Sequence, residues 1–162
     1  MIMAMALIRI NQRALDGLVK DAKISPRKRK NLNLHKNAEE QVQRMLNALE
    51  LETYVRPHRH PALHPEVFLA LEGRAALLEF NDDGSAKEYC VLNARGDVRG
   101  AESTPETWHT LVALDPGTVL FIIEPGPYDP ETAKEFAPWA PTEESGGGPA
   151  FNKKILDTLN IR

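Results

Sequence analysis

The chain has 162 residues, 42% of them hydrophobic and 27% charged, with a formal net charge of −3. That is about one domain's worth of chain, long enough to bury a core without disulfides, and its composition is that of globular proteins. The negative balance removes the electrostatic case for nucleic acid or an anionic membrane as partner, and the single cysteine, Cys90, excludes an internal disulfide, so a reducing, cytoplasmic setting is expected.

The opening stretch "MIMAMALI" is apolar, but no positive charge precedes it and no processing-site pattern follows. It reads as a first strand or arm and not as a signal. No run approaches the roughly 20 apolar residues that a membrane-spanning helix requires. Residues 12–23 place Leu15, Leu18, Val19 and Ala22 at helical spacing, which predicts a short amphipathic helix. It ends near "ISPRKRKN", where Pro26 and four basic residues, Arg27, Lys28, Arg29 and Lys30, form an exposed turn. Such a run is either solvated or pairs with the phosphate of a small ligand. Between residues 39 and 50, Val42, Met45, Leu46 and Leu49 fit a helix, yet "QRMLNALEL" followed by "TYVRPHRH" also fits two strands meeting at a turn; periodicity alone favours the helix.

Beyond that point the pattern is strand-like. "EVFLALEG", "RAALLEF", "KEYCVLN", "HTLVAL" and "TVLFIIE" are short runs divided by turn segments such as "NDDGS", "NARGD" and "DPG", which predicts an antiparallel barrel or sandwich. After "EPGPYDP" the composition shifts to "EFAPWAPTEESGGGP", an irregular surface segment and a flexible joint. The closing "AFNKKILDTLNIR" sets Phe151, Ile155, Leu156 and Leu159 on one helical face. An apolar stripe of that kind must cover something, either the barrel or a partner subunit.

Three of the five histidines lie in "YVRPHRHPALHPE". On an extended strand, residues two apart point the same way, so His58 and His60 project together. Glu66 opens the next apolar run, and His109 sits at the entry to a later strand in "TPETWHTLVAL". Three imidazoles and a carboxylate suit Zn, Mn, Fe, Ni or Co about equally. HxH, a following glutamate, a glycine after six intervening residues (Gly73) and one later histidine resemble the two motifs of the cupin family. The spacing departs from that pattern: Glu52 stands where a glycine is usual, and five residues separate His60 from Glu66 instead of three or four. "TPETWH" has Thr104 and Glu106 in place of proline and glycine. His64 occupies the shorter spacing and is the alternative ligand, but Gly73 keeps its register with Glu66.

A closer resemblance runs from about residue 10 to 142. "SPRKRKNLNLH", "VQRMLNALELETYVRPHRHP", "WHTLVAL" and "PGPYDPETAKEFAPWAP" are similar to the WbuC-type cupin-fold metalloproteins, whose founding members are associated with O-antigen and other bacterial surface-polysaccharide gene clusters. The resemblance implies an all-β, single-domain cupin, that is, a double-stranded β-helix or jelly-roll barrel. It implies an N-terminal arm and helix (1–30), the barrel (31–128) and a tail with a short helix (129–162), with "QRMLNALEL" as a barrel strand. It also implies one divalent transition metal on His58, His60, Glu66 and His109.

Four ligands leave coordination positions open, as in catalytic metal sites. Arg44 and Asn47 on the strand before the ligands, Asn33 and His35 in "NLNLH", Trp108 beside His109 and Tyr128 in "PGPYDP" are candidates for the surrounding pocket. Each has a plainer role too: Arg44 could pair with Glu40, and Trp108 could be core. Together they suit a sugar, a sugar phosphate, a nucleotide sugar or another anionic metabolite. Three readings follow: a metal-dependent isomerase or dehydratase, with His35 and His64 as the only bases in view; a non-catalytic metal- or sugar-binding module; and a small-molecule dioxygenase if the metal is iron. A homodimer through barrel edges or the closing helix is the expected assembly.

Overall fold

A computed structural model describes residues 7–162. The reading of "MIMAMALI" as a strand or arm falls mainly on residues 1–6, outside the described residues, and residues 7–10 carry no regular structure. Asn11 starts the first helix, α1 (Gln12–Ile24), its side-chain oxygen accepting from the Ala14 amide at 3.1 Å; a side-chain acceptor there satisfies a donor that has no partner within the helix. Ten strands follow: β1 (Arg29–Asn33), β2 (Val42–Leu49), β3 (His58–Arg59), β4 (Glu66–Glu72), β5 (Arg74–Phe80), β6 (Ala86–Asn93), β7 (Gly100–Ser103), β8 (Trp108–Ala113), β9 (Thr118–Pro125) and β10 (Glu135–Phe136). A closing helix, α2 (Gly148–Leu159), ends the chain.

The strands form two sheets, ordered β1-β2-β9-β4-β7 and β10-β3-β8-β5-β6, and their pairings are antiparallel. Leu49, Phe68, Leu77, Leu92, Leu111, Leu120 and Ile122 fill the space between the sheets. Phe68, Leu111 and Ile122 of this core also line a cavity on the inner face.

Both sheets are also covered from outside. Leu15, Leu18 and Ala22 of α1 lie on Leu46, Ala48 and Val119. On the second sheet, Ala76, Leu78, Phe80, Trp108 and Val112 are covered by Ala137, Trp139, Ala140, Phe151, Ile155, Leu156 and Ile161. The apolar stripe of α2 therefore packs on its own barrel. Strand β2 resolves the contested segment: it is extended, paired with β1 and with β9. Two short strands escaped the sequence reading, β7 and the two-residue β10, the latter inside the segment read as irregular. Among the described residues no helix is long and apolar enough to cross a membrane.

The turn from β4 to β5 depends on Gly73, whose φ of +65° lies in the left-handed region. A Cβ there would come within 2.6 Å of the Thr118 hydroxyl oxygen, which donates to the Arg74 and Asp115 carbonyls. Gly73→Ala is expected to cost about 1–3 kcal/mol, since a non-glycine residue in this conformation is strained. Urea unfolding checks this, and an unchanged midpoint would remove the turn from the determinants of the fold.

Candidate metal centre

The cluster is assembled from three strands. β3 and β8 are neighbours, and their register sets His58 directly opposite His109; two residues after His58, His60 points the same way. Glu66 opens β4 in the facing sheet. One ligand atom from each of His58, His60, Glu66 and His109 lies within 4.8 Å of the others, and all four residues are buried.

The hydrogen bonds orient the imidazoles. His58 Nδ1 donates to the Arg56 carbonyl at 2.9 Å, His60 Nδ1 to the Ala133 carbonyl at 2.7 Å and His109 Nδ1 to the Thr107 carbonyl at 3.0 Å. A carbonyl only accepts, so each Nδ1 carries the proton and each Nε2 is left with its lone pair, the tautomer that backbone partners impose on metal-binding histidines. Glu66 Oε2 sits 2.9 Å from His60 Nε2 and 3.1 Å from His109 Nε2. Lone pairs facing a carboxylate at that range repel unless a proton or a cation lies between them. The donor set therefore fits a divalent transition metal.

Acid–base properties follow from the same contacts. Burial, and then the neighbouring His109, hold His58 well below the usual imidazole range, so it stays neutral and able to ligate. For His60, burial works in the same direction but is outweighed by the hydrogen bond and charge of Glu66, and its pKa is raised. Burial would push Glu66 up, yet the hydrogen bonds from His109 and His60 win and hold it well below the carboxylate range.

The cluster opens into a cavity of about 630 Å³, within the range of small-molecule sites. Of the six pocket candidates named from the sequence, Asn47 and Tyr128 line it. Asn47 Oδ1 is buried without a hydrogen-bond partner. The structure places the other four elsewhere. Trp108 alternates with His109 along β8 and so faces outward, into the core beneath the tail, with Nε1 donating to Asp82 at 3.0 Å. Arg44 pairs with Glu40. His35 lies beyond the end of β1, and its Nδ1 accepts from the Arg44 amide at 3.0 Å. Asn33 is exposed at the far end of β1. His64 lies outside the cluster, lining a smaller hollow that also touches His60, Glu124 and Tyr128.

Several lining residues were not singled out as pocket groups. Asn31 comes from β1 opposite Asn47, and Glu124 ends β9 in both hollows. Burial, and then the charge of Glu66, raise the Glu124 carboxyl. Arg27, Arg29, Lys30 and Lys134 also line the cavity. Strand alternation predicts that Asn31 shares the face of Arg29; nothing in "TVLFIIE" separates Glu124 from an ordinary strand end.

Two antiparallel sheets with a buried histidine and carboxylate cluster between them form a cupin-like fold. The sequence model described as "Domain of unknown function (DUF6016)" matches residues 10–92, just over half of the chain, and the chain belongs to that family. No curated protein sequence matches the chain. Among solved structures, CapF with the inhibitor 3-isopropenyl-tropolone is similar, with 15% identity, 70% of this chain and 33% of that chain covered, and a TM-score of 0.59. Oxalate oxidase in complex with the substrate analogue glycolate shares 13% identity over 86% of this chain and 69% of that one, with a TM-score of 0.56. The capsular polysaccharide assembling protein CapF from Staphylococcus aureus shares 16% over 70% and 32%, with a TM-score of 0.54. The chain thus spans about a third of the length of CapF, and these likenesses show the fold alone.

His58→Ala and His109→Ala are each expected to remove stoichiometric metal while the barrel stays folded, because the apolar core, and not the cluster alone, holds the strands together. Elemental analysis of protein purified with metal supplied decides it, and equal content in wild type and variants refutes the ligand assignment. Acid should release the metal as well, since a protonated imidazole has no lone pair to offer: occupancy falls as pH drops below about 6. His60, held above the usual range, takes its proton before His58, held below it. Metal content that is constant from pH 7 to pH 5 would contradict this.

Proposed function

We propose that the protein is a metal-binding cupin whose cavity takes a small polyhydroxylated metabolite, a sugar, sugar phosphate or nucleotide sugar, and that it serves bacterial surface-polysaccharide metabolism. The reading is carried by one observation: of the converging His58, His60, Glu66 and His109, three, His58, Glu66 and His109, line a cavity large enough for such a ligand. The sequence resemblance to WbuC-type cupins supports the polysaccharide context, as does the fold likeness to the capsular polysaccharide assembling protein CapF.

Held by those four side chains, a divalent transition metal would supply Lewis-acid polarisation of a ligand carbonyl or hydroxyl oxygen. The chain's own residues do the rest. Asn47 offers its unpartnered Oδ1 to a ligand hydroxyl, and Asn31 beside it adds an amide to the same wall. Phe68, Leu111 and Ile122 close the floor against water. Among the cavity carboxylates, Glu124 is the one outside the tetrad, and burial and the charge of Glu66 raise its carboxyl above the usual range, which favours a proton-carrying role. Proton transfer by Glu124 is what separates an isomerase or dehydratase from a binding module on the same scaffold.

The test is metal identification followed by a thermal-shift screen of nucleotide sugars and sugar phosphates. A ligand present at 100 times its Kd stabilises by about 2.7 kcal/mol, so a hit raises Tm clearly, and His58→Ala is expected to lessen the shift. A metal-loaded protein that responds to no sugar derivative would refute the substrate class. For a hit, Glu124→Gln is expected to abolish turnover with ligand binding retained; turnover at the wild-type rate would take the proton-transfer role from Glu124.

A further inference from the structure

We propose that the cavity is a groove for a saccharide of at least two linked units, one unit at the histidine cluster and the next on the amide pair Asn31 and Asn47. This rests on reading the cavity as a sugar site beside a metal, and it narrows the occupant of that site.

Strand register fixes where the two polar ends lie. Along the inner face of the first sheet, β2 contributes Gln43, Met45 and Asn47 in turn, because side chains two apart share a face. Gln43 pairs with Glu124 of β9, Met45 with Ile122 and Asn47 with Leu120. On the other side of β9, Ile122 pairs with Phe68 of β4 and Leu120 with Ala70. The same register, carried one residue past the Val67 and Ile123 pair, sets Glu66 beside Glu124, which feels its charge. Asn47 therefore stands two strands across and four residues along from Glu66, about 16 Å between Cα positions at the usual strand spacing and rise. Asn31 lies opposite Asn47 on β1, one strand further out. A single sugar ring does not reach from the cluster to this pair, yet both amides line the cavity into which the cluster opens.

The amide pair has hydrogen-bonding capacity to spare. Asn47 Oδ1 is buried without a partner, and Asn31 Nδ2 meets the Met45 sulfur at 3.5 Å, a weak acceptor. An unanswered buried amide is costly. The terminal torsion of asparagine is broad, so a slight turn brings the Asn47 amide to a ligand hydroxyl. Two adjacent amides, each both donor and acceptor, suit the neighbouring hydroxyls of one sugar ring. At the same end Arg29 is already engaged, Nη1 with the Tyr54 carbonyl and Nη2 with Glu143. Between the two ends the row Met45, Ile122 and Phe68 is apolar, and Leu111 of the second sheet packs with it. The C–H face of a sugar and an uncharged glycosidic link cross such a row at little cost, whereas a pyrophosphate bridge there would lose water without gaining a partner. The groove thus fits a disaccharide better than a nucleotide sugar.

The probes are lactose, N,N′-diacetylchitobiose and digalacturonic acid, a neutral, an acetamido and an acidic disaccharide. Each is titrated calorimetrically into the metal-supplied full chain beside its component monosaccharides. At least one disaccharide is expected to bind about tenfold more tightly than its components, since its second unit engages from a ligand already bound. Asn31→Ala and Asn47→Ala should each lower that affinity about fivefold, the scale of one hydrogen bond, and leave monosaccharide affinity unchanged. Asn33→Ala, at the exposed end of β1 outside the cavity, should change neither. Asn31 is exposed, so its variant decides the matter if Asn47→Ala does not fold. Disaccharides that bind no more tightly than their components, or amide variants that weaken both sizes alike, overturn the groove. If monosaccharides bind, lose affinity in His58→Ala and gain nothing from a second unit, the sugar site beside a metal stands and the groove fails. If a disaccharide binds through Asn31 and Asn47 in protein that takes up no metal, the metal reading fails and the groove stands. If no saccharide of either size binds, both fall.

Discussion

Four electron-rich atoms from four side chains are forced together in this protein, and almost everything else in the fold serves to keep them there. Three imidazole nitrogens turned inward by their backbone bonds, and a carboxylate oxygen within about 3 Å of two of them, form an arrangement that water-exposed side chains would abandon by rotating away. Here rotation is blocked. The rings are buried and packed against one another, with His58 and His109 centroids 4.6 Å apart, and Phe68 closes from behind at 6.3 Å from His109. Three ring nitrogens and a carboxylate oxygen held in this way are pre-positioned for a shared cation, so binding one requires little rearrangement of the folded state.

The motif of this cluster was legible along the chain because a strand converts spacing into direction: two residues apart means one face, so His58 and His60 had to project together. The same rule explains the misplacements. Trp108 is adjacent to His109 and so faces away from it, and Arg44 and Asn47, three apart, cannot share a face. The helical appearance of residues 42–49 has a different origin. β2 is covered on both sides, by α1 over Leu46 and Ala48 and by the inner core over Leu49, so apolar residues occupy both faces and their spacing imitates a helix. Glu124 and Lys134 could not be found this way, since they join the cavity only through pairings between segments remote in sequence.

Charge is distributed with the same economy. Surface ion pairs of this size contribute little to stability in water, so the triplet of Arg27, Arg29 and Glu143 is better understood as geometry than as reinforcement. It ties the turn after α1 to the 3-10 turn at Glu143–Ser145, and it keeps two guanidinium groups at the cavity edge that would otherwise swing into solvent. The basic run, exposed and ambiguous in the sequence, acquires a direction only because the tail returns to meet it.

That return makes the tail part of the site. Residues 129–162 read as a surface wrapping of prolines and glycines, yet the Ala133 carbonyl is what fixes the His60 ring, Phe136 pairs with His58 across β10 and β3, and the Ala137 amide donates to the Pro57 carbonyl at 2.9 Å. One of the three imidazoles, His60, therefore owes its orientation to backbone more than 70 residues downstream, and the strand that carries His58 is paired there as well. The tail is itself held by the packing of Trp139 against Phe80, with ring centroids 5.1 Å apart, and against Phe151 of α2 at 6.2 Å. A line of contacts thus runs from the closing helix through Trp139 and residues 133–137 to the His60 ring. Loosening the hydrophobic cap on the outer face of the barrel would free the carbonyl that sets the tautomer at its centre, so the packing of the C-terminal helix and the affinity of the cluster for a cation are two readings of one structural constraint.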